Sequence, residues 1–577
     1  MASDEVKQLA ELKDDNLPGA LFLSIHRSQD SLRFASPKAV YSLKDSTIKA
    51  AEVEYIKVAD AIIFPDQNKV TIGHMAEFKT LLNSEIIADS ENRYHRIYNS
   101  KINIKGRYKY LATGDYDYID ENDEVQIIHF TDISVDTSRQ TVAKAKVSIE
   151  EDFTLSPVYQ YQGDIVLYAK NKYLTFNGGV KLDYECPRIG SHYTYFEDEI
   201  NPDSIYIPIS STTQSVNGHG LHIASFITKD SSHIYSRFLE RRRDPNDVAL
   251  IDAIGYLHFD KNSNKYIVAD KAKYIKPDTT GNLISLQRDF CLQHGEGKVD
   301  LGIDLGQIKL TQAGSVNHML NENEIKTELV LGLDFFFSED ALDTLASQLQ
   351  TARSLDPMSL TSDFFEKNMN ELVGNTNYKE FNNQLMLYAN EAKLPASAQH
   401  SMLFGNVKFK WYTENGMYLN YGKIGIATIN NKPINKYVEG YFQILKRRSG
   451  DIMKLYFELP NGDYYYFSYT RGVMQTLSNN EYFVNAIQDI KKRARKMKTS
   501  RGETPYRYII ATEQNKVQFL RNIHLFEEEQ AAKEEEKKLQ EQQQKELEEW
   551  DQQIEDPNPN NENKEPVKEE NEEGIEQ

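Results

Sequence analysis

Cysteine is nearly absent from this chain: Cys186 and Cys291 are the two in 577 residues. That excludes a scaffold built on disulfides, and it leaves one bridge or two buried thiols as open readings. Tryptophan is as scarce, with 2 residues against 35 Tyr and 26 Phe. Tyr and Phe favour strands, so the aromatic balance leans toward β-structure. No run of about 18 apolar residues occurs, which excludes a transmembrane helix. The first residues, MASDEVKQLAELKDDNLPG, lack an apolar signal core. Strand patterning nevertheless begins within about 20 residues of Met1. Of a cytoplasmic protein, a mature form and a fragment, a fragment is the favoured reading.

A basic surface is also missing. The formal net charge is −20. From Glu527 to the end there are 20 acids and 6 bases, or −14, which leaves −6 for the 526 residues before them. A nucleic-acid reader would carry a basic footprint, and none is visible. GxGxxG, GxxxxGK[ST] and GxSxG are absent too, and with them the usual nucleotide-binding and hydrolase signatures.

What is present is strand patterning. Alternation of apolar and polar residues runs through KINIKGRYKY (101–110), 126–135, DIVLY (164–168) and GYLHF (255–259). Turn signals stand at Pro65-Asp66, Asn177-Gly178-Gly179, Asn217-Gly218 and Gly281-Asn282. A loose phrase recurs as YIKVADAIIFPDQNKVTI (55–72) and KYIVADKAKYIKPD (265–278). Short strands with such spacing predict a stacked β-solenoid or β-jellyroll-like region. Residues 295–318 read as two long strands joined near Gly306.

From Ser338 the period changes. Ser338 is placed as the N-cap of a helix whose Leu342, Leu345 and Leu349 share one face. A second helix is expected after Asp363 and a third over 378–392, with Pro395 ending the insert. Strands then return, with hairpin signals at Asn415-Gly416 and Asn461-Gly462. A helix over 480–496 completes an α+β region. The fold class read here is therefore mainly β, in four parts. Residues 1–335 form the stacked region, as one unit or as two with a break near 210–250. A helical insert spans 336–396 and an α+β domain 397–523. A solvated helix and a disordered acidic tail fill 524–577.

Five groups were weighed as sites. His219 and His222 offer two imidazoles from one loop, short of the three or four ligands zinc needs, and no CxxC or HExxH supplies the rest. Cys291 and His294 could pair as nucleophile and base; a buried cysteine beside a strand is the favoured alternative. Asp115/Asp117 and Asp198/Glu199 could be glycosidase carboxylates, but such acids must face each other across a cleft. Glu240–Arg243 (ERRR) could grip a phosphate or carboxylate, against the plain reading of a solvated turn. No catalytic, cofactor-binding or metal-binding residue is assigned from any of them, and no cofactor is expected.

Residues 255–278 and KYLTFNGGVKLDY (172–184) resemble the rungs of the OstA-like, lipopolysaccharide-transport β-jellyroll family. Ala269, Asp270, Ala272 and Tyr274 occupy its phrase l-x-A-D-x-A-x-Y. The resemblance implies an open stack of strands with an apolar groove for acyl chains. The Tyr/Asn/Lys-rich strands and EINPDSIYIPI (199–209) also look like the C-terminal part of large uncharacterised cell-envelope proteins of Bacteroidota. The function expected is a non-catalytic structural or binding component of the envelope, periplasmic or outer-membrane-associated. Its expected partners are other envelope proteins, and lipid or lipopolysaccharide in the carrier alternative, with no nucleic acid. A β-helix carbohydrate-active enzyme is the second alternative.

The tail is expected to be dispensable for folding. Deleting 527–577 should leave the thermal midpoint nearly unchanged. A fall of more than a few degrees, about 1 kcal/mol, would show that this segment is docked.

Overall fold

A computed structural model of the chain describes residues 19–230, 233–388 and 392–555. The acidic segment beyond 555 lies outside the described residues. The chain forms two compact units, Met1–Ile509 and Ile510–Gln577. It is mainly β, with large antiparallel sheets. The first unit holds a 13-stranded sheet that starts at Ala20–Leu23 and ends at Thr194–Ile200. It also holds a 15-stranded sheet opening with Ile207–Ile209, and two sheets of three strands. Strands follow one another along both large sheets nearly in chain order, as a meander.

Alternation produces this arrangement, because side chains on a strand point to opposite faces with a period of two. In His95–Gly106, residues Ser100, Ile102 and Ile104 are buried while Lys101, Asn103 and Lys105 face away. Before Ser100 the parity is reversed, with His95 and Ile97 buried. Asn99 sits at the switch with φ 51°, a conformation of the extra residue in a bulge. The stretch 101–110 is thus one strand end, a turn at 107–108, and the start of Lys109–Ile119.

One apolar face repeated over so many strands must be covered, and the sheet covers it by rolling onto itself. Tyr118 on Lys109–Ile119 and Phe176 on Leu174–Leu182 stand four strands apart in the sheet order. At about 4.8 Å per strand a flat sheet would separate them by about 19 Å. Their rings lie 5.8 Å apart. Phe153 and Tyr161 pack into the same interior, and Tyr118 Oη donates to the Leu155 carbonyl at 2.9 Å. A polar clasp holds a second pair of distant strands. Asp60 accepts from the Thr141 amide at 2.8 Å and from its hydroxyl at 2.7 Å, and Tyr110 Oη meets that hydroxyl at 2.8 Å. Desolvation at the clasp pushes the Asp60 carboxyl above the usual range.

Several expectations need correction. Asn177-Gly178-Gly179 is not a turn but the middle of Leu174–Leu182. Glycine is required there by close strand approach: a Cβ on Gly178 would lie 2.3 Å from the Gln162 carbonyl oxygen. The recurring phrase folds in two ways. After Val58 it makes a tight hairpin with Ala59 at φ 53°. After Ala269, Asp270 caps helix α1 (Lys271–Ile275), accepting from the Ala272 amide. Tyr274 then turns back, and its Oη lies within hydrogen-bond distance of the Tyr256 and Ile267 carbonyls. The strands around Gly306 are Leu292–Lys298 and Lys309–Met319, joined by the ten irregular residues 299–308 rather than a tight turn.

The helical insert begins as read. Ser338 caps α2 (Glu339–Thr351), and Leu342, Leu345 and Leu349 are buried together. Ser362 caps α3 (Asp363–Val373), and α4 (Asn375–Tyr388) follows. The expected third helix extended to 392; residues 389–391 lie outside the described residues. The insert leaves the sheet unbroken, because the strands flanking it, Glu324–Asp334 and Met402–Tyr412, pair with each other. Phe365, Met369 and Phe381 cover Val330 and Leu403 of those strands. The α+β region continues the same sheet. Its hairpin at Asn461-Gly462 joins Ile452–Glu458 to Tyr464–Thr470, with Gly462 at φ 84°. Helix α5 (Glu481–Gln488), capped by Asn480, stops eight residues before the expected end.

The two large sheets are joined by a disulfide between Cys186 and Cys291, with Cα atoms 5.4 Å apart. Tyr266 Oη donates to the Val158 carbonyl at 2.7 Å, and Arg288 pairs with Asp183 at 2.5 Å across the same junction. In the second unit, α6 (Glu513–Glu555) has no buried side chain among the described residues from Glu527 onward. Among the described residues, no helix is long and apolar enough to cross a membrane, which says nothing of strand-built barrels.

Alternation also decides which residue of KYIVA faces inward. Read from the sequence alone, Ile267 in the middle of KYIVA is an inner residue. Tyr266 and Val268 are the buried ones, and Ile267 is half-exposed. Val268→Asn should therefore cost about 2–4 kcal/mol through lost packing and an unpaired amide. Ile267→Asn should cost under about 1 kcal/mol. Urea midpoints at equal m-values compare the two, and the opposite ranking would overturn this face assignment.

Candidate functional site

The first strand of the 13-stranded sheet, Ala20–Leu23, pairs on one side with Arg33–Ser36. Beside this pair lies the small sheet of Lys38–Ser42, Thr47–Ala51 and Lys69–Ile72. Between them is a cavity of about 520 Å³. Its floor is apolar: Leu32, Phe34, Ile48, Ile72 and Phe78 line it. Phe22 and Phe34 are cross-strand partners with rings stacked 5.1 Å apart, and Phe78 meets Phe34 edge-on at 5.8 Å. At the floor Gln29 donates its Nε2 to the Ala76 carbonyl, while its Oε1 is buried with no hydrogen-bond partner among the described residues.

The rim is mixed: the exposed Leu23 and Met75, 57% and 69% open to solvent, stand among Ser24, Ser46 and His74. Single exposed apolar residues are ordinary, but a contiguous set around an open cavity marks a binding surface. The volume falls in the range of small-molecule sites, about 300–1,000 Å³. A cavity with this floor has room for a hydrocarbon chain.

The residues weighed from sequence fall elsewhere. Asp115 and Asp117 lie on the outer face of their strand, not across a cleft. Asp115 is held by His129 Nδ1 at 2.7 Å and Asn99 Nδ2 at 3.1 Å, and Asp117 accepts from Tyr98 Oη at 2.6 Å. That last bond pushes the Tyr98 phenol up to about 12. Glu199 accepts from Asn171 Nδ2 and the Tyr173 amide, both at 3.2 Å, and its amide bonds Asp198. Cys291 cannot be a nucleophile paired with His294, because it is disulfide-bonded. Of ERRR, Glu240 holds the buried Arg237 at 3.1 Å, and Arg243 stacks 4.4 Å over the Tyr235 ring. His222 packs by Phe226, and burial followed by the Arg242 charge lowers its pKa. Among the described residues no group of three or more His, Cys, Asp and Glu could hold a metal.

Sequence reasoning missed one ionic cluster. Glu296 lies between His294 Nε2, at 2.9 Å, and the Lys367 ammonium of α3. Beside it, Lys273 and Glu371 approach to 3.9 Å in a nearly buried pair. Lys367 is 71 residues from Glu296, so no local spacing could announce the contact. The cluster pins α3 to strand Leu292–Lys298, and Glu371 also lines a recess of about 750 Å³ with Lys276, Asp278 and Lys298. Hydrogen bonding from His294 and the charge of Lys367 outweigh burial and hold the Glu296 carboxyl at about 2.

No protein-family model, curated protein or solved structure matches this chain.

The lowered Glu296 carboxyl has a sign that can be checked. An unfolded Glu takes its proton near 4.5, while the folded one stays ionised to about 2. Its contribution is present above 4.5 and is lost as pH falls from 4.5 to 2. Glu296→Gln should thus lower stability at pH 7 by roughly 1–2 kcal/mol, after allowing for partial solvent exposure. Urea titrations at pH 7, 5, 4 and 3 should show the gap between wild type and variant closing in acid. A gap independent of pH would contradict the ionic role.

Proposed function

We propose that this chain is a non-catalytic binding component of the bacterial cell envelope, and that the cavity at the free edge of its first sheet takes an apolar chain such as a fatty acyl group. The carrying observation is that open, apolar-floored cavity, with Leu23 and Met75 exposed at its mouth, in a sheet whose interior is otherwise filled by its own aromatic side chains. The disulfide between Cys186 and Cys291 supports an oxidising compartment, as the periplasm is. The reading differs from a conduit running the length of the stack. Tyr118, Phe153, Tyr161 and Phe176 occupy the volume that such a groove would need. An acyl chain would therefore be held at the end of the sheet rather than passed along it. Carbohydrate-active chemistry has less support, since the acids on the outer face of Lys109–Ile119 are tied to Tyr98, Asn99 and His129.

A fluorescent fatty-acyl probe titrated into the protein should bind saturably. The double variant Leu23→Lys/Met75→Lys changes two exposed rim positions and should leave the melting temperature in place. It should weaken the probe at least about tenfold, or about 1.4 kcal/mol. Absence of saturable binding, or binding indifferent to these substitutions, would remove the acyl-chain reading.

A further inference from the structure

Two residues weighed separately in the sequence, His219 and Arg241, line one recess of about 380 Å³, together with Lys181 and His192. The chain reaches this arrangement by folding three distant segments together. Lys181 sits on the outward face near the end of strand Leu174–Leu182. His192 precedes strand Thr194–Ile200. His219 is carried by a turn that bridges back to that strand: Thr194 pairs with Ser215, and Gln214 with Gly220. Gly218 makes the turn at φ 76°. Arg241 follows strand Ile234–Glu240.

The recess is short of negative charge. Among the described residues that line it there is no carboxylate. Of the acids nearest along the chain, Glu240 is held by Arg237 and the Gly190 amide, Asp183 by Arg288 and Asp244 by Asn246, while Glu185 is exposed. Asp152 is felt by Tyr193 in the lining, whose phenol is raised by burial and then by that charge. The recess gathers a lysine, an arginine and two histidines with no ion pair among them. Convergent cationic donors without internal counter-charges are what a bound anion supplies with its own charge. The Tyr193 and Leu221 side chains give the recess an apolar wall beside those donors.

The geometry points to an anion site in this recess that recognises a phosphate group, with Lys181 and Arg241 supplying fixed charge and His192 and His219 supplying ring N–H donors. The recess lies at the far end of the 13-stranded sheet from the acyl-chain cavity, so it stands independently of that reading. The phosphate can come from a free monoester or inorganic ion, or from the headgroup of an anionic lipid.

Calorimetric titration with inorganic phosphate, and flotation with vesicles of phosphatidic acid or of phosphatidylcholine alone, separate the two sources. Lys181→Gln/Arg241→Gln should weaken phosphate binding at least tenfold with an unchanged melting temperature, and His192→Asn/His219→Asn should weaken it in the same direction. Lys144→Gln/Lys146→Gln removes the same charge from an exposed strand elsewhere and should change nothing. Saturable phosphate binding lost in the recess variants alone supports a soluble ligand. Binding confined to phosphatidic acid vesicles, and lost in the same variants alone, supports a lipid headgroup. No saturable binding to either probe, or an equal loss in the control variant, overturns the site.

Discussion

The constraint on which this structure depends is the need to bury one apolar face of a long antiparallel meander. Each strand contributes apolar side chains at every second position, and burial of such surface is worth roughly 25 cal/mol per Å². Among the described residues, no helix supplies a second layer over the first sheet, and the sheet covers itself. Tyr118 reaches Phe176 across four strands, and Asp60 reaches Thr141 across six. Over the second sheet the same need is met by α3 and α4, whose Phe365, Met369 and Phe381 cover Val330, and strand Glu324–Asp334 is buried on both faces over its second half. The position of the open cavity follows from this. A rolled sheet has an end strand, and among the described residues no further strand of the meander pairs with Ala20–Leu23 beyond it.

Local signals carried well from sequence to structure where the physics is local. The Ser338 cap, the helix after Asp363, and the hairpins at Asn415-Gly416 and Asn461-Gly462 each depend on a few adjacent residues. Parity did not carry. Tyr266, Ile267 and Val268 are all apolar, so alternation permits either face to be inner, and the choice falls to Tyr266, whose hydroxyl finds the Val158 carbonyl 108 residues away. A bulge such as Asn99 reverses parity without any compositional mark. The glycines at 178 and 179 read as a turn because close approach between strands and a tight turn demand the same residue. The candidate sites were the least legible part. His219 and Arg241 were visible as residues but not as neighbours, and the cavity near Phe34 is lined by side chains that in sequence look like any strand core.

Functional features lie where the packing leaves room. The middle of each sheet is committed to structure: aromatic pairs, the Asp60 clasp, the Glu296 cluster beneath α3. Among the described residues, openings lie at the first strand, at the junction between the sheets and beside the end of α3, and the first two differ in character, one apolar-floored and the other cationic.

The disulfide sets a limit that matters when the chain is pulled rather than heated. A meander of antiparallel strands can be peeled apart one strand at a time, because each step breaks the bonds of a single strand. Cys186 and Cys291 are 105 residues apart in sequence. At about 3.4 Å per residue, their bridge withholds about 350 Å of contour length from any extension. Tension applied across the junction between the sheets thus meets a covalent stop. It bypasses the three-stranded sheet of His222–Ile227, Ile234–Glu240 and Val248–Asp252 entirely, and leaves the segments outside the loop to bear the load.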